Sequence, residues 1–370
     1  MSNRNENITT AAHEQGFVLV GFARLRRLSH REDFYRDWLA DGRHADMGYL
    51  ARAPERRFDP RTLDSRLSFV VSLGFPYSPP PVAQIDWRAE LRGRIASYAL
   101  GPDYHDVVLA KARAVARTIE SLRPGAVTRA YVDTGPVFER EWAAQARIGW
   151  FGKNTTLLNH DQGSYFFLAE IFTDLEFETP REPYREHCGG CTRCIDLCPT
   201  GALEDGYKME PRLCISYLTI ENRGAIPVEL RPKLGNWIFG CDVCQEVCPW
   251  NATPACADKC DELLPFMPDL MALDPAAFSR RFAGSAIKRA KRRGLLRNTA
   301  VALGNSGNRD AVPVLARVLG SEPEPLVRAH AAWALGALGG AAARASLDRA
   351  RRCDSDWIVR SEAAAALATQ

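Results

Sequence analysis

Residues 67–74, LSFVVSLG, form an unbroken run of apolar positions, the pattern of a strand buried on both faces. VTRAYV at 127–132 and SYFFLAEIF at 164–172 are two further strand candidates. Around them, apolar positions recur at helical spacing over 31–40, 104–122 and 136–148. This alternation predicts an α/β domain over residues 1–175. From about residue 290 the chain becomes rich in alanine, leucine and arginine, and it repeats. Leu303, Leu335 and Leu367 share a 32-residue spacing with Ala300, Ala332 and Ala364, and Gly304 and Gly336 follow the first two leucines. Paired short helices of the HEAT type fit that length, and three copies at constant spacing favour repeats over a plain helical bundle.

Composition adds bounds. The 370 residues suffice for two or three domains, and 46% apolar with 25% charged residues is ordinary for a soluble protein. No apolar run reaches the length of a membrane-spanning helix, and no apolar or twin-arginine leader is evident, so a cytoplasmic location is expected. The net charge of +3 says little by itself. Its distribution says more, because Arg280, Arg281, Lys288, Arg289, Lys291, Arg292, Arg293 and Arg297 crowd one segment. Such a cluster is either an electrostatic footprint for nucleic acid or a solvated helix face.

The densest chemistry lies between residues 188 and 248. Cys188, Cys191, Cys194 and Cys198 form C-x2-C-x2-C-x3-C-P, ending at Pro199. Cys241, Cys244 and Cys248 form C-x2-C-x3-C-P, ending at Pro249, and Cys214 lies between the groups. The first run is the bacterial ferredoxin pattern, in which the cysteine before proline ligates the other cluster. The spacing therefore assigns Cys188, Cys191, Cys194 and Cys248 to one 4Fe–4S cluster and Cys198, Cys214, Cys241 and Cys244 to a second. Structural zinc is the competing reading, since C-x2-C pairs also bind it. Two Cys-Pro endings, and eight thiols without nearby paired histidines, argue against zinc. Cys256, Cys260 and Cys353 fit neither motif and read as plain surface or core thiols. A cluster domain over 176–265 is expected to hold little regular structure, because metal sites supply much of its folding energy.

Electrons need a destination. No G-x-G-x-x-G and no G-x4-G-K-[ST] is present, so neither a Rossmann nor a P-loop site is indicated. The corrinoid pattern D-x-H-x-x-G is broken, with Asp103 and His105 followed by Val108 where glycine is needed. Asp133, in YVDTGP, stands at a strand end where active-site groups are common, although it would equally cap a helix. Tyr104, His105 and Arg140 each have an ordinary structural reading. The loop GWFGKNTTLLN at 149–159 is either a cradle of backbone N–H groups for a ligand or a connecting turn.

Taken together, SYALGPDYH (97–105), YVDTGPVFERE (131–141), IGWFGKNTTLLN (148–159), GSYFFLAEIFTDL (163–175), CGGCTRCIDLCPTGAL (188–203) and FGCDVCQEVCPWN (239–251) resemble the epoxyqueuosine reductase family. The resemblance implies an oxidoreductase that reduces the epoxide of epoxyqueuosine, at the wobble position of tRNA, to queuosine. It implies cobalamin beside the two 4Fe–4S clusters and an external low-potential electron donor. The implied fold is α+β and multidomain: an α/β cobalamin-binding domain similar to that of reductive dehalogenases, a ferredoxin-like two-cluster domain, and HEAT-like helical repeats over 266–370. A monomer is expected. By the same resemblance Asp133 is the catalytic acid, and Tyr104, His105 and Arg140 lie close to the substrate. Arg57, Asp133, Asn154 and Ser216 are the candidate cofactor contacts. The tRNA contacts are sought in Arg281, Lys288, Arg289, Lys291, Arg292, Arg293 and Arg297. The family often has cysteine where this chain has Ser97, which removes any role for a thiol there. Two other classes stand beside this one: a corrinoid dehalogenase acting on a small molecule, and a plain ferredoxin-type carrier with a helical docking domain.

Overall fold

The computed structural model describes residues 3–78, 85–179, 184–251 and 263–369. Cys256 and Cys260 lie outside the described residues, and Cys353 is an exposed thiol. The N-terminal part is built on a four-stranded sheet in the order Leu19–Arg24, Phe69–Pro76, Phe166–Thr173, Thr128–Tyr131. All three pairings are antiparallel. The apolar run at 67–74 is a central strand, as its pattern suggests, yet none of its neighbours is parallel.

The reason is layering. Successive strand residues point to opposite faces. Val71 and Ile171 meet Ile8, Ala12, Val108, Val115 and Ile119 of the helices Asn3–Glu14 and Tyr104–Leu122. Val70 and Phe172 meet Leu28, Leu67 and the buried Trp142 of the helix Glu139–Gln145. With helices on both faces, strand positions of either orientation are buried whatever the strand direction, and the buried polar pair Ser72 and Glu170 bond to each other. The helix expected over 136–148 is shorter than its pattern, because Pro136 to Phe138 belong to the loop that follows Asp133.

The cysteine-rich part has little regular structure, as expected. Two short helices, Arg193–Asp196 and Val243–Glu246, one from each cysteine group, pack together. The domains interlock. Arg94–Ile95 pairs in parallel with Trp237–Phe239, and Leu91, Ile95 and Ala99 enter the same core as the C-terminal helices.

The repeats are present. Lys291–Asn305, Pro325–Leu338 and Trp357–Ala368 stack in sequence, with Val312–Ser321 and Ala341–Cys353 as the intervening helices. The periodic glycines have a steric cause. A Cβ on Gly304 would sit 2.9 Å from the Ala334 backbone, and one on Gly336 would sit 2.7 Å from the Ala366 side chain. Glycine at that register lets one repeat approach the next.

Candidate active site

Asp103 caps the helix Tyr104–Leu122, accepting the His105 N–H at 3.1 Å. Its Oδ1 also lies 2.7 Å from His105 Nδ1, which fixes the imidazole. Phe167, Tyr104 and His105 form a continuous stack, with ring centroids 4.3 Å and 4.0 Å apart. The Tyr104 hydroxyl donates to Asp133 Oδ2 at 2.6 Å, and His105 Nε2 lies 3.1 Å from the same oxygen. Both imidazole nitrogens are thus used within the protein, in keeping with the broken corrinoid motif.

Asp133 follows the strand Thr128–Tyr131 in a left-handed conformation, φ 56°. It does not cap the next helix, whose cap position is Phe138 without a side-chain bond. Its side chain is 60% exposed, so a substrate can reach it, yet protein crowds it on the floor of a recess. Burial pushes its carboxyl up, but bonds from His105 and Tyr104 and the charges of His105 and Arg140 outweigh that and hold it below the usual range. Burial pushes His105 down, and its bonds to Asp133 and Asp103 more than reverse this. Both shifts favour the charged forms, an Asp133 carboxylate facing a protonated His105.

Sequence reasoning passed over Glu139. It accepts the Asp133 backbone N–H, and burial followed by the Asp133 charge pushes its carboxyl from 4.5 up to about 8. Only its place inside FERE, six residues after Asp133, could have marked it. Arg140 donates to the Thr155 carbonyl and so ties the recess to the loop at 149–159.

That loop is a brace more than a cradle. Lys153 donates to the carbonyls of Gly189 and Cys191 at 2.6 and 3.1 Å. Asn154, 3% exposed, donates to the Cys244 carbonyl at 3.2 Å, and its Oδ1 takes the Thr156 N–H and hydroxyl. Asn154 Oδ1 and one of its amide N–H groups are thus engaged within the protein, joining the recess to the cysteine region. Ser216 is engaged with the Cys214 thiol. Arg57 keeps the character of a ligand-seeking group. It is 8% exposed, it donates to the Tyr49 carbonyl at 3.4 Å, and among the described residues its Nε has no partner. A buried cation left this way calls for an acceptor.

The eight thiols fall into two neighbourhoods. Cys194 feels Cys248 and Cys188, and Cys248 feels Cys188 and Cys191. Cys214 feels Cys198, and Cys241 feels Cys244 and Cys214. Cys244 feels Cys214 and Cys198, and also Cys194 across the gap. Burial pushes Cys241 and Cys244 strongly up, so those thiols are the deeper set and need a metal centre to hold them as thiolates. Among the described residues no three histidine, cysteine or acidic side chains converge on one ion position. A cubane offers a separate iron to each thiolate.

The basic segment borders the recess: the Asp103 N–H donates to the Gly284 carbonyl at 2.6 Å, and Arg289 lies over the Tyr49 ring at 5.3 Å. Its charges are unequal. Arg297 is fully buried and donates to the carbonyls of Leu218, Asn222 and Gly224 at 2.6–2.9 Å. Arg292 is locked to Glu322 by bonds of 2.8 and 2.6 Å. Both are corrected from phosphate contacts to internal braces of the repeats. Arg289 is held by Glu221, at 2.8 and 3.1 Å. Arg281, Lys288, Lys291 and Arg293 remain exposed.

Three family models match. They are a 4Fe–4S double cluster binding domain over 187–251, HEAT repeats over 284–368, and "Epoxyqueuosine reductase QueG, DUF1730" over 57–134. The epoxyqueuosine reductase of Pseudomonas aeruginosa is 39% identical over 344 residues, which cover 89% of this chain and 93% of that protein. The chain belongs to the epoxyqueuosine reductase family. Among solved structures it is similar to an epoxyqueuosine reductase holding an epoxyqueuosine-modified tRNA-Tyr stem loop, at a TM-score of 0.89 and 29% identity, with 98% of each chain covered. The Bacillus subtilis epoxyqueuosine reductase, in a structure whose aspartate-bearing catalytic loop is swung out of the active site, gives the same score, identity and coverage. As an epoxyqueuosine reductase the chain is an oxidoreductase with a two-cluster iron–sulfur domain. Among its described residues no helix is long and apolar enough to cross a membrane.

Proposed function

We propose that this chain reduces the epoxide of epoxyqueuosine in the tRNA anticodon loop to the alkene of queuosine. The observation that carries the reading is the hydrogen-bonded group of Asp133, His105 and Tyr104, at the floor of an open recess tied through Arg140 and the loop at 149–159 to both cysteine sets. The reaction takes up two electrons and two protons, breaks both ring C–O bonds and releases the oxygen as water. Departing oxygen needs a proton, and Asp133 is the group placed to give it. The proton arrives from His105 along the 3.1 Å contact to Oδ2, and the Tyr104 hydroxyl steadies the carboxylate between transfers. The similar Bacillus subtilis enzyme also carries an aspartate on a catalytic loop, which supports this reading.

Cys188, Cys191, Cys194 and Cys248 would hold the shallower 4Fe–4S cluster, and Cys198, Cys214, Cys241 and Cys244 the deeper one. The shallower set suits receipt of electrons from a low-potential donor. Asn154, bound to the Cys244 carbonyl, links the deeper set to the recess. Arg57, with its orphaned Nε, and Ser216, beside Cys214, are the residues that would face cobalamin. Bound there, cobalamin would supply low-potential reducing chemistry at the substrate.

The exposed cations Arg281, Lys288, Lys291 and Arg293 would grip the phosphates of the anticodon stem, which position without reading sequence. Replacing Lys288, Lys291 and Arg293 together by alanine should weaken tRNA binding and flatten its salt dependence by about one slope unit per lost contact. Cluster content should not change. Arg292→Ala should instead cost ~3 kcal/mol of stability by stranding buried Glu322. Titrations at several salt concentrations, with thermal unfolding, check both. An unchanged salt slope in the triple variant would remove this surface from tRNA binding. The whole reading is tested by conversion of the modified nucleoside.

A further inference from the structure

Asp133 is held by more than its side chain. Its left-handed backbone is costly for a non-glycine residue and persists only where surroundings enforce it. One enforcing contact is the Asp133 N–H donated to Glu139 Oε1. A second is steric: a Cβ at Gly135 would fall 2.4 Å from the Tyr131 ring, so the loop lies flat on the strand it has just left.

Glu139 stands in acidic company. Asp133 adjoins it, and Glu170 of the strand Phe166–Thr173 lies within its electrostatic reach. Glu170 is fully buried between its sheet partners Ser72 and Tyr131. It accepts the Ser72 hydroxyl at 2.7 Å, and among the described residues its Oε1 has no partner. Arg140 is the adjoining cation, shared with Asp133, and its guanidinium donates to Thr155. Arg31 reaches Arg140 from the helix Ser29–Ala40. His105 and Tyr104 face the group from the helix Tyr104–Leu122. Burial acts most strongly on Glu139 and the adjoining Asp133 charge adds to it; together they outweigh the pull of Arg140 and His105, so the pair favours a single negative charge.

We propose that Glu139 is the positioning residue of the catalytic loop: through its bond to the Asp133 N–H it fastens that backbone over the recess. The proposal rests on the assignment of Asp133 as the acid only for its catalytic consequence; the latch itself is a property of the loop. The alternative for an acidic residue in the first turn of a helix is a charged partner for the helix dipole. The two differ in their response to pH: a dipole partner works ionised, whereas ionising a buried Glu139 beside Asp133 adds a repelling charge that weakens the latch.

The sign follows from linkage. Solvated in an open loop, Glu139 would titrate at its ordinary 4.5; fastened, it holds its proton to about 8. Closure is therefore strongest below 4.5 and weakens as pH rises to about 8. Between pH 5 and 6.5, Asp133 stays ionised and His105, raised above 6.5, stays protonated. The change in proton balance across that interval therefore comes chiefly from Glu139. Hydrogen exchange of residues 132–138 in the full chain, corrected for intrinsic rates, should show protection falling ~30-fold across it. In Glu139→Gln, which keeps the acceptor oxygen and cannot ionise, protection should be flat with pH and turnover within about twofold of the parent, as for a preserved contact. Glu139→Ala should lose the protection and ~100-fold in turnover through misplacement of Asp133. Parent-like pH dependence of loop protection in Glu139→Gln would overturn the latch, and so would a turnover loss there as large as in Glu139→Ala. The exchange readout needs no substrate, so failure of the latch is separable from failure of the functional reading.

Discussion

Asp133→Asn should bring queuosine formation down by ~100- to 10,000-fold, the usual worth of a positioned general acid. The substitution keeps the shape and the backbone bond to Glu139, so tRNA affinity and cluster content should match the parent. The amide also leaves His105 with Asp103 as its one carboxylate partner. A charge partner that had kept the imidazole protonated is removed, and the His105 pKa should drop back toward or below its ordinary 6.5. Two losses follow from one change: the proton that reaches the leaving oxygen, and the reserve behind it. His105→Gln should be milder, because Tyr104 still holds Oδ2 and solvent can recharge an exposed carboxyl. Single-turnover conversion followed by nucleoside mass spectrometry separates these effects from tRNA binding. Near-parental turnover in Asp133→Asn would take the residue out of the chemistry.

The second large effect concerns the thiols. Anaerobic reconstitution of the full chain should give about eight irons and eight acid-labile sulfides, as two cubanes require. The two thiol neighbourhoods make a sharper prediction than the total. Cys194→Ala should deplete the shallower cluster and leave about four irons, and Cys241→Ala should do the same to the deeper one. Because Cys248 sides with Cys188 and Cys191, Cys248→Ala should resemble Cys194→Ala, although it lies seven residues from Cys241 and far from Cys188 in sequence. Grouping by sequence would pair it with Cys241 instead. Stoichiometric zinc, or a Cys248 variant that phenocopies Cys241→Ala, would contradict the partition. The deeper loss should also be the more destabilising. The helix Lys291–Asn305 packs on that region, with Asn298 donating to the carbonyls of Thr219 and Ile238 at 2.8 Å.

Much of this was legible before the fold was known, because the chemistry is local. Cysteine spacing is dictated by the size of a cubane and survives without any tertiary knowledge. The repeat was legible for a related reason: each unit meets the same neighbour, so Gly304 and Gly336 recur where helices must touch. Antiparallel strand order was not legible, since helices on both faces erase the alternation that distinguishes strand environments. The basic segment was read too generously. Charge alone cannot separate Lys291 from Arg297, which lie six positions apart; the helix carries the first into solvent and the second into a ring of backbone carbonyls. Asn154 is the converse case, a polar loop residue whose side chain is already bonded within the protein. Glu139 went unnoticed because an acid in FERE looks like any first-turn residue until the loop folds back and places the Asp133 N–H against it.

The central claim is tested most directly by the reaction itself. The full chain, reconstituted without oxygen with iron, sulfide and cobalamin, is given a strong chemical reductant and tRNA bearing epoxyqueuosine, and the digested nucleosides are weighed. The account predicts that epoxyqueuosine is replaced by a nucleoside lighter by one oxygen atom, co-eluting with queuosine, and that omission of cobalamin or of iron abolishes the change. Epoxyqueuosine left intact by protein that demonstrably holds both clusters and cobalamin would contradict it.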